Sequence, residues 1–365
     1  MIKVLFDHQK FTTQKYGGIS RYFANILQFI KDTPDMDYEL GVLYAKNHYL
    51  HNEHLLLNNN LGDLLLKQRS KPPYFINEKY CNYLLSSDNF DVFHPTYYDP
   101  YFLKNLKKPL VVTIHDLTYE RLPEYFWAED PLTYQKRLNL ERADKIIAIS
   151  NTTKKDLLRY YEVDESRIEV IYHGMETDAP FVTRPVAHLP KHYLLYVGDR
   201  SGYKNFYLFM NAFKQLSSVY PDLHLILTGG GNPGIADREF IHRLKLGDKV
   251  RHINATDEEL NYLYQNAALF VYPSLHEGFG LPILEAYKAG CPVLLSDTEC
   301  FREIGADAAL FFSPHAVDDL ISVITGFLSD SEKRRELVRK GTQRLGDFTL
   351  KESMEKTLDI YRALA

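Results

Sequence analysis

Glu277 and Glu285 bracket seven residues in the run His276-Glu277-Gly278-Phe279-Gly280-Leu281-Pro282-Ile283-Leu284-Glu285-Ala286, which follows an apolar stretch ending at Pro273-Ser274. A strand, a glycine-rich turn and a helix opening near Leu281 would aim backbone N–H groups and the positive helix end at one spot, a setting for a diphosphate. The glycines allow the main chain close to a ligand. Glu285 falls about one turn into that helix, within reach of hydroxyls on whatever the turn binds, while Glu277 precedes the turn on the ligand's other side. Two carboxylates so placed would grip sugar hydroxyls at two points. Taken singly, Glu277 reads as simply as a solvated loop residue and Glu285 as an acid favoured at a helix start.

A second constellation, Tyr196-Val197-Gly198-Asp199-Arg200-Ser201-Gly202-Tyr203-Lys204-Asn205, lies at the end of another strand. Arg200 and Lys204 are cations that would neutralise a diphosphate leaving group, and fixed cations aimed at developing charge are usually a large catalytic term. Either one alone is a plain solvated charge. The run Gly229-Gly230-Gly231-Asn232-Pro233-Gly234 satisfies GxGxxG, with Asp257 further on. A dinucleotide-dependent oxidoreductase is the rival it suggests, but Pro233 would disturb the helix-opening amides and that reading leaves the two-glutamate turn unused.

These residues need a scaffold of strand ends. Short β-branched runs alternate with amphipathic stretches along the chain, the pattern of βα units in parallel sheets. Strands are expected at 2–6, 38–44, 91–94, 110–115, 145–149 and 168–172, then at 192–197, 223–228, 250–254, 269–273 and 293–296. After the first strand come Gly17-Gly18 and a helix whose apolar stripe is Ile19, Tyr22, Phe23, Ile26, Leu27 and Ile30. The stretch from Gly174 to Pro190 carries Pro180, Pro185 and Pro190 and reads as an interdomain linker. The expectation is an N-terminal domain over 1–180, a C-terminal one over 181–346, and a helix over 347–365 packing back on the first.

The chain has 365 residues, 45% apolar and 25% charged, with 43 basic against 48 acidic side chains. Its net charge of −5 provides no positive field to recruit nucleic acid. Cys81, Cys291 and Cys300 have neither metal-ligand nor CxxC spacing, which suits a reducing compartment and points to the cytoplasm. Residues 1–11 read as a buried first strand without a signal-peptide core. No window approaches the roughly 20 apolar residues of a membrane span, so any membrane contact is peripheral. Lys67, Arg69 and Lys71, followed by Pro72-Pro73, offer a basic cluster for an anionic surface, or else a solvated loop.

The two-glutamate turn resembles the signature of retaining glycosyltransferase family 4, the glycosyl transferases of group 1. The resemblance spans nearly the whole chain in the family's order. It implies an α/β GT-B fold, two Rossmann-like doubly wound domains facing a central cleft. It further implies that Glu277 contacts donor-sugar hydroxyls, that Glu285 binds the ribose, and that the backbone of Gly278, Phe279, Gly280 and Leu281 holds sugar and phosphate. The cluster around Arg200 and Lys204 looks like the family's diphosphate-binding cations, although Asp199 and Tyr203 stand where commoner patterns place arginine. Gly17 and Gly18 resemble a glycine loop whose backbone faces the diphosphate, and His115, in Thr113-Ile114-His115-Asp116, the histidine that touches the donor sugar. The implied activity is a metal-independent, retaining transfer of a hexosyl unit from GDP-mannose or a UDP-hexose to a glycan or lipid-linked acceptor, as in bacterial O-antigen mannosyltransferases. No cofactor beyond the nucleotide-sugar substrate is implied. A catalytically inactive nucleotide-sugar-binding scaffold, or an epimerase of the same fold, is the alternative.

Overall fold

The Val-, Ile- and Leu-rich runs form parallel strands, which persist only where helices cover both faces. In the computed structural model, which describes residues 1–66 and 71–365, the strands fall into two units, Met1–Gly174 with Lys351–Ala365, and Met175–Leu350. The first holds β1 (Ile2–Phe6), β2 (Met36–Leu40), β3 (Val92–His94), β4 (Val111–Ile114), β5 (Lys145–Ala148) and β6 (Ile168–Val170). Strands β2-β1-β3 continue through the parallel bridge Phe93–Leu110 into β4-β5-β6. The core includes Phe93, Phe102, Ile114 and Ile146. Tyr22, Phe23, Ile26, Leu27 and Ile30 are the buried face of the helix Gly18–Lys31.

The second unit holds β7 (His192–Val197), β8 (Leu223–Thr228), β9 (Val250–Ile253), β10 (Leu269–Tyr272), β11 (Val293–Ser296) and β12 (Leu310–Phe312). Their spatial order is β12-β11-β10-β7-β8-β9, all pairs being parallel. This is the Rossmann order, and it reverses direction between β7 and β10, where ligands of such sheets bind at the carboxyl ends. The helix Phe206–Val219 buries Phe206, Phe209, Met210 and Phe213 against Leu225, Leu227 and Val271. Each such side chain contributes roughly 1.5–3 kcal/mol by leaving water.

The clearest departures from expectation are three. Strand β2 ends at Leu40 and does not run to Tyr44. The N–H groups of Leu43 and Tyr44 donate instead to Asn77 Oδ1 at 2.8 and 3.1 Å, so the chain leaves the ladder. The units part at Gly174 and Met175, earlier than 180–181, because Met175 is already paired with the second unit. Its N–H donates to Phe348 O at 2.8 Å and its carbonyl accepts from Leu350 at 3.0 Å. Edge strand β12 was not expected at all.

The helix Leu350–Leu364 closes the first unit. Tyr361, wholly buried, packs on Phe6 with ring centroids 6.3 Å apart, and its hydroxyl lies 2.6 Å from His94 Nδ1. Arg362 pairs with Asp35 at 3.0 Å.

Candidate active site

At the point where the second sheet reverses, the chain leaving β7 and the chain leaving β10 are tied together by Leu275 N–H donating to Tyr203 O at 2.8 Å. The first carries Lys204 on the short turn Gly202–Lys204, and the second carries Glu277. Their side chains meet, Lys204 Nζ to Glu277 Oε1, at 2.7 Å, each only 13–14% exposed. The ammonium also lies 5.0 Å from the centre of the Tyr203 ring and 5.9 Å from that of Tyr272. Burial opposes its charge, but Glu277, Tyr272 and Tyr203 together outweigh burial and hold it protonated well above the usual lysine range.

Past Glu277 the turn tightens. Gly280 has φ +98°, a left-handed conformation that glycine adopts without strain, and caps the helix Leu281–Lys288 with Pro282 in its first turn. A Cβ at Gly280 would lie 3.0 Å from Ile283 Cδ1 and 3.3 Å from Phe301 Cε1. Gly278, Phe279 and Gly280 are buried, and Phe279 meets Phe348 edge-on at 5.6 Å. Leu281 is half-buried at the helix start. One turn on, Glu285 Oε2 accepts from the Tyr264 hydroxyl at 3.3 Å.

The Arg200 side chain lies against the loop that follows β8. Its Nε donates to Asp237 Oδ2 at 3.0 Å, Nη1 to Gly229 O at 3.2 Å, and Nη2 to Gly230, Gly231 and Asn232 O at 3.2, 2.8 and 3.2 Å. Gly229, Gly230 and Gly231 all have positive φ, 80°, 63° and 73°. The carbonyls of this run therefore face a cation, the reverse of the N–H cradle a dinucleotide phosphate needs. Asp237 fills the start of the following helix, accepting from Gly234 N–H at 2.9 Å.

In the first unit the structure gathers the other expected residues. Gly17 and Gly18 open the helix Gly18–Lys31, whose Tyr22 ring packs edge-on to His115 at 5.6 Å and to His173 at 4.9 Å. His115 stacks on His173 at 5.9 Å and 20°. His115 Nε2 is buried without a hydrogen-bond partner among the described residues. An unsatisfied buried polar atom costs on the order of 1–3 kcal/mol and calls for an explanation.

Burial pushes His8 and His94 down to about 3 and His173 to about 4, and burial followed by His173 pushes His115 well below the usual range. Unfolded histidines bind protons below about pH 6.5, so the stability held by these neutral rings is present above that pH and lost as pH falls toward 4. Asp7 works the other way, since burial outweighs its bonds to Thr96 and Gln9 and lifts it to about 6. Four histidines outweigh one carboxylate. The melting midpoint should thus fall on acidification from pH 6.5 to 4, each histidine weighing up to about 1.4 kcal/mol per pH unit. Thermal melts across that range check it, and a flat midpoint would mean that the rings are charged or solvated when folded.

No chemical role for Tyr264, Tyr272, Asp237 or His173 was legible in the sequence. Among the described residues no group of three or more His, Cys, Asp or Glu is placed to hold a metal ion, and no helix is long and apolar enough to cross a membrane.

Residues 184–344 match the family model described as Glycosyl transferases group 1, and residues 16–179 that described as Glycosyltransferase Family 4. The chain is 28% identical over 291 residues to O-antigen chain mannosyltransferase B of Escherichia coli, spanning 75% of this chain and 74% of that protein. It is 29% identical over 204 residues to O-antigen chain mannosyltransferase RfbU of Salmonella typhimurium, 56% of each. Among solved structures, Anabaena HepE in complex with UDP-glucose superposes with a TM-score of 0.76 at 18% identity over all of both chains. Sucrose-phosphate synthase from Thermosynechococcus elongatus gives 0.76 at 19%, over 100% of this chain and 99% of that one.

Proposed function

Since this chain belongs to the GT-B glycosyltransferases built from a family 4 and a group 1 domain, we propose that it moves a hexosyl unit from a nucleotide sugar, GDP-mannose or a UDP-hexose, to a glycan or lipid-linked acceptor with retention and without a metal ion. The observation that carries this reading is the buried Lys204–Glu277 pair at the point where the second sheet reverses. A cation there serves the leaving diphosphate and a carboxylate the sugar, so donor binding would exchange their mutual contact for one each to the ligand. The bond from the sugar's anomeric carbon to the diphosphate oxygen breaks while the acceptor oxygen bonds to that carbon on the same face, and the acceptor proton passes to the leaving phosphate. Lys204 stabilises the growing negative charge, which is where a fixed cation acts best. Glu285 takes the ribose. Two relatives named as O-antigen mannosyltransferases support mannose, and HepE in complex with UDP-glucose supports a nucleotide-sugar donor.

Thermal-shift screening with GDP-mannose and UDP-hexoses should show one donor adding about 2.7 kcal/mol at 100 times its dissociation constant. Transfer should then survive a chelator and give a product of the donor's anomeric configuration. Turnover abolished by chelator and restored by a divalent ion would remove the metal-free mechanism, an inverted product would remove retention, and an epimerised donor without transfer would favour the epimerase.

The same reading includes peripheral membrane contact in the cytoplasm, as a lipid-linked acceptor requires. Leu56, Leu61, Leu64 and Leu65 are 62–82% exposed on and beside the helix Asn60–Leu66, and Phe75, Lys71 and Lys79 are exposed on the next helix. Lys67 and Arg69 of the expected basic cluster lie outside the described residues. Apolar side chains flanked by lysines suit an anionic bilayer surface. Co-sedimentation with anionic vesicles at low salt should fall when Leu61, Leu64 and Leu65 are changed to serine, and the absence of any low-salt binding by the unaltered protein would refute the contact.

A further inference from the structure

Arg200 has all three guanidinium nitrogens engaged, by four backbone carbonyls of residues 229–232 and by Asp237, and its side chain is 6% exposed. Asp237 neutralises it. Although burial opposes ionisation of that carboxylate, the Gly234 N–H, the Tyr207 hydroxyl and Arg200 hold it charged below the usual range. To reach a diphosphate the guanidinium would have to leave five hydrogen bonds and its counter-ion. The loop, conversely, depends on it: carbonyls turned toward one point repel each other unless a cation with several donors sits among them, and the planar fork of arginine supplies those donors where a lysine ammonium is a compact point charge.

The loop borders the segment that carries Lys204. A Cβ on Gly230 would lie 2.3 Å from Asp199 Cα, and one on Gly229 would lie 3.1 Å from Gly198 N. Asn254 Nδ2, after β9, donates to Asn232 Oδ1 at 2.9 Å, so the loop is tied to the ends of three adjacent strands. Its outer face is solvent-exposed from Gly229 to Asn232, and at Gly198 and Gly231 a Cβ would meet nothing within 4 Å. That leaves a strip of bare backbone suited to the close approach of a flat ring.

We infer that Arg200 is a positioning residue: it organises the 229–232 loop into the surface that receives the nucleoside end of the donor, and it does not hold the diphosphate. This rests on the reading of the second unit as the donor site.

The test compares Arg200→Ala, Arg200→Lys and Gly230→Ala with the unaltered protein by three readouts. In Arg200→Ala the amides of residues 229–234 should exchange hydrogen faster. The dissociation constant of the preferred nucleoside diphosphate, GDP or UDP, should rise about 10-fold or more by calorimetry, with the preference between the two narrowing, while the rate at saturating donor falls by less than that. Inhibition by inorganic pyrophosphate, which carries the diphosphate alone, should stay within about 2-fold. Arg200→Lys should recover little, and Gly230→Ala, which displaces the loop from the Asp199 backbone while keeping the arginine, should share the binding defect. Should Arg200→Ala fail to fold, the other two variants decide the question by the same readouts. Pyrophosphate affinity falling in step with nucleoside diphosphate affinity, or unaltered exchange at 229–234, would overturn the inference. If the unaltered protein bound neither nucleotide, the donor-site reading would fail, and the exchange comparison would still report whether Arg200 braces the loop.

Discussion

Lys204→Ala should lower the single-turnover rate at saturating donor by about 100-fold or more, the scale of losing one preorganised electrostatic donor. The ammonium is fixed by Glu277 at 2.7 Å and bordered by Tyr203 and Tyr272, so it does not have to be gathered from solvent when the reaction begins. Charge on the diphosphate grows as the glycosidic bond breaks, and an interaction that strengthens toward the transition state appears in the chemical step as well as in binding. Arginine at 204 should rescue only in part, because a planar fork differs in reach from a compact ammonium. A surface lysine would give a near-neutral change. Rapid-quench rates of the folded variant distinguish the two, and a wild-type rate would take the central cation out of the mechanism.

The second large effect falls on stability as well as turnover. Glu277→Leu leaves the Lys204 ammonium without its counter-ion at a site where both side chains are about seven-eighths buried. Breaking a buried pair from one side costs roughly 3–5 kcal/mol, most of it the penalty of the stranded charge. The double change Lys204→Met with Glu277→Leu removes that charge and should regain most of the stability but none of the turnover. Denaturant melts of the four proteins in this cycle measure it, and additive losses would show that the two residues are not coupled in the folded state. Glu285→Ala should behave differently, weakening the bare nucleoside diphosphate in calorimetry, because Glu285 stands a helical turn away with Tyr264 as its partner. Unchanged affinity would remove it from the ribose.

What was legible in the sequence was what is local. The turn from Glu277 to Glu285 is one strand end, two glycines and one helix start, and all its signals lie within a few residues of each other. The strands were legible because both faces are buried, which makes them continuous apolar runs. Strand β2 ends earlier than expected since 42–44 are as apolar as a strand while the N–H groups of Leu43 and Tyr44 are claimed by Asn77, more than thirty residues away. The target of Arg200 was hidden for the same reason: its carbonyl partners are 29–32 residues distant, and no local pattern distinguishes an arginine that braces a loop from one that binds an anion. Tyr264 and Tyr272 were lost among 27 tyrosines, and only the fold separates the two beside carboxylates from the rest.

The helix Leu350–Leu364 sets an order on biosynthesis. A ribosome releases residues 1–174 first, yet Phe6 and His94 keep an uncovered face until Tyr361 emerges, after the whole of the second unit. The stretch Met175–Leu350 is contiguous and can complete its own sheet in the interval. The half made first is thus finished last, against the usual sequence in which the N-terminal domain folds ahead. Premature termination within the final helix would leave the later-made half able to fold and the earlier-made half open, a nascent chain with an exposed apolar surface for chaperones or proteases to find.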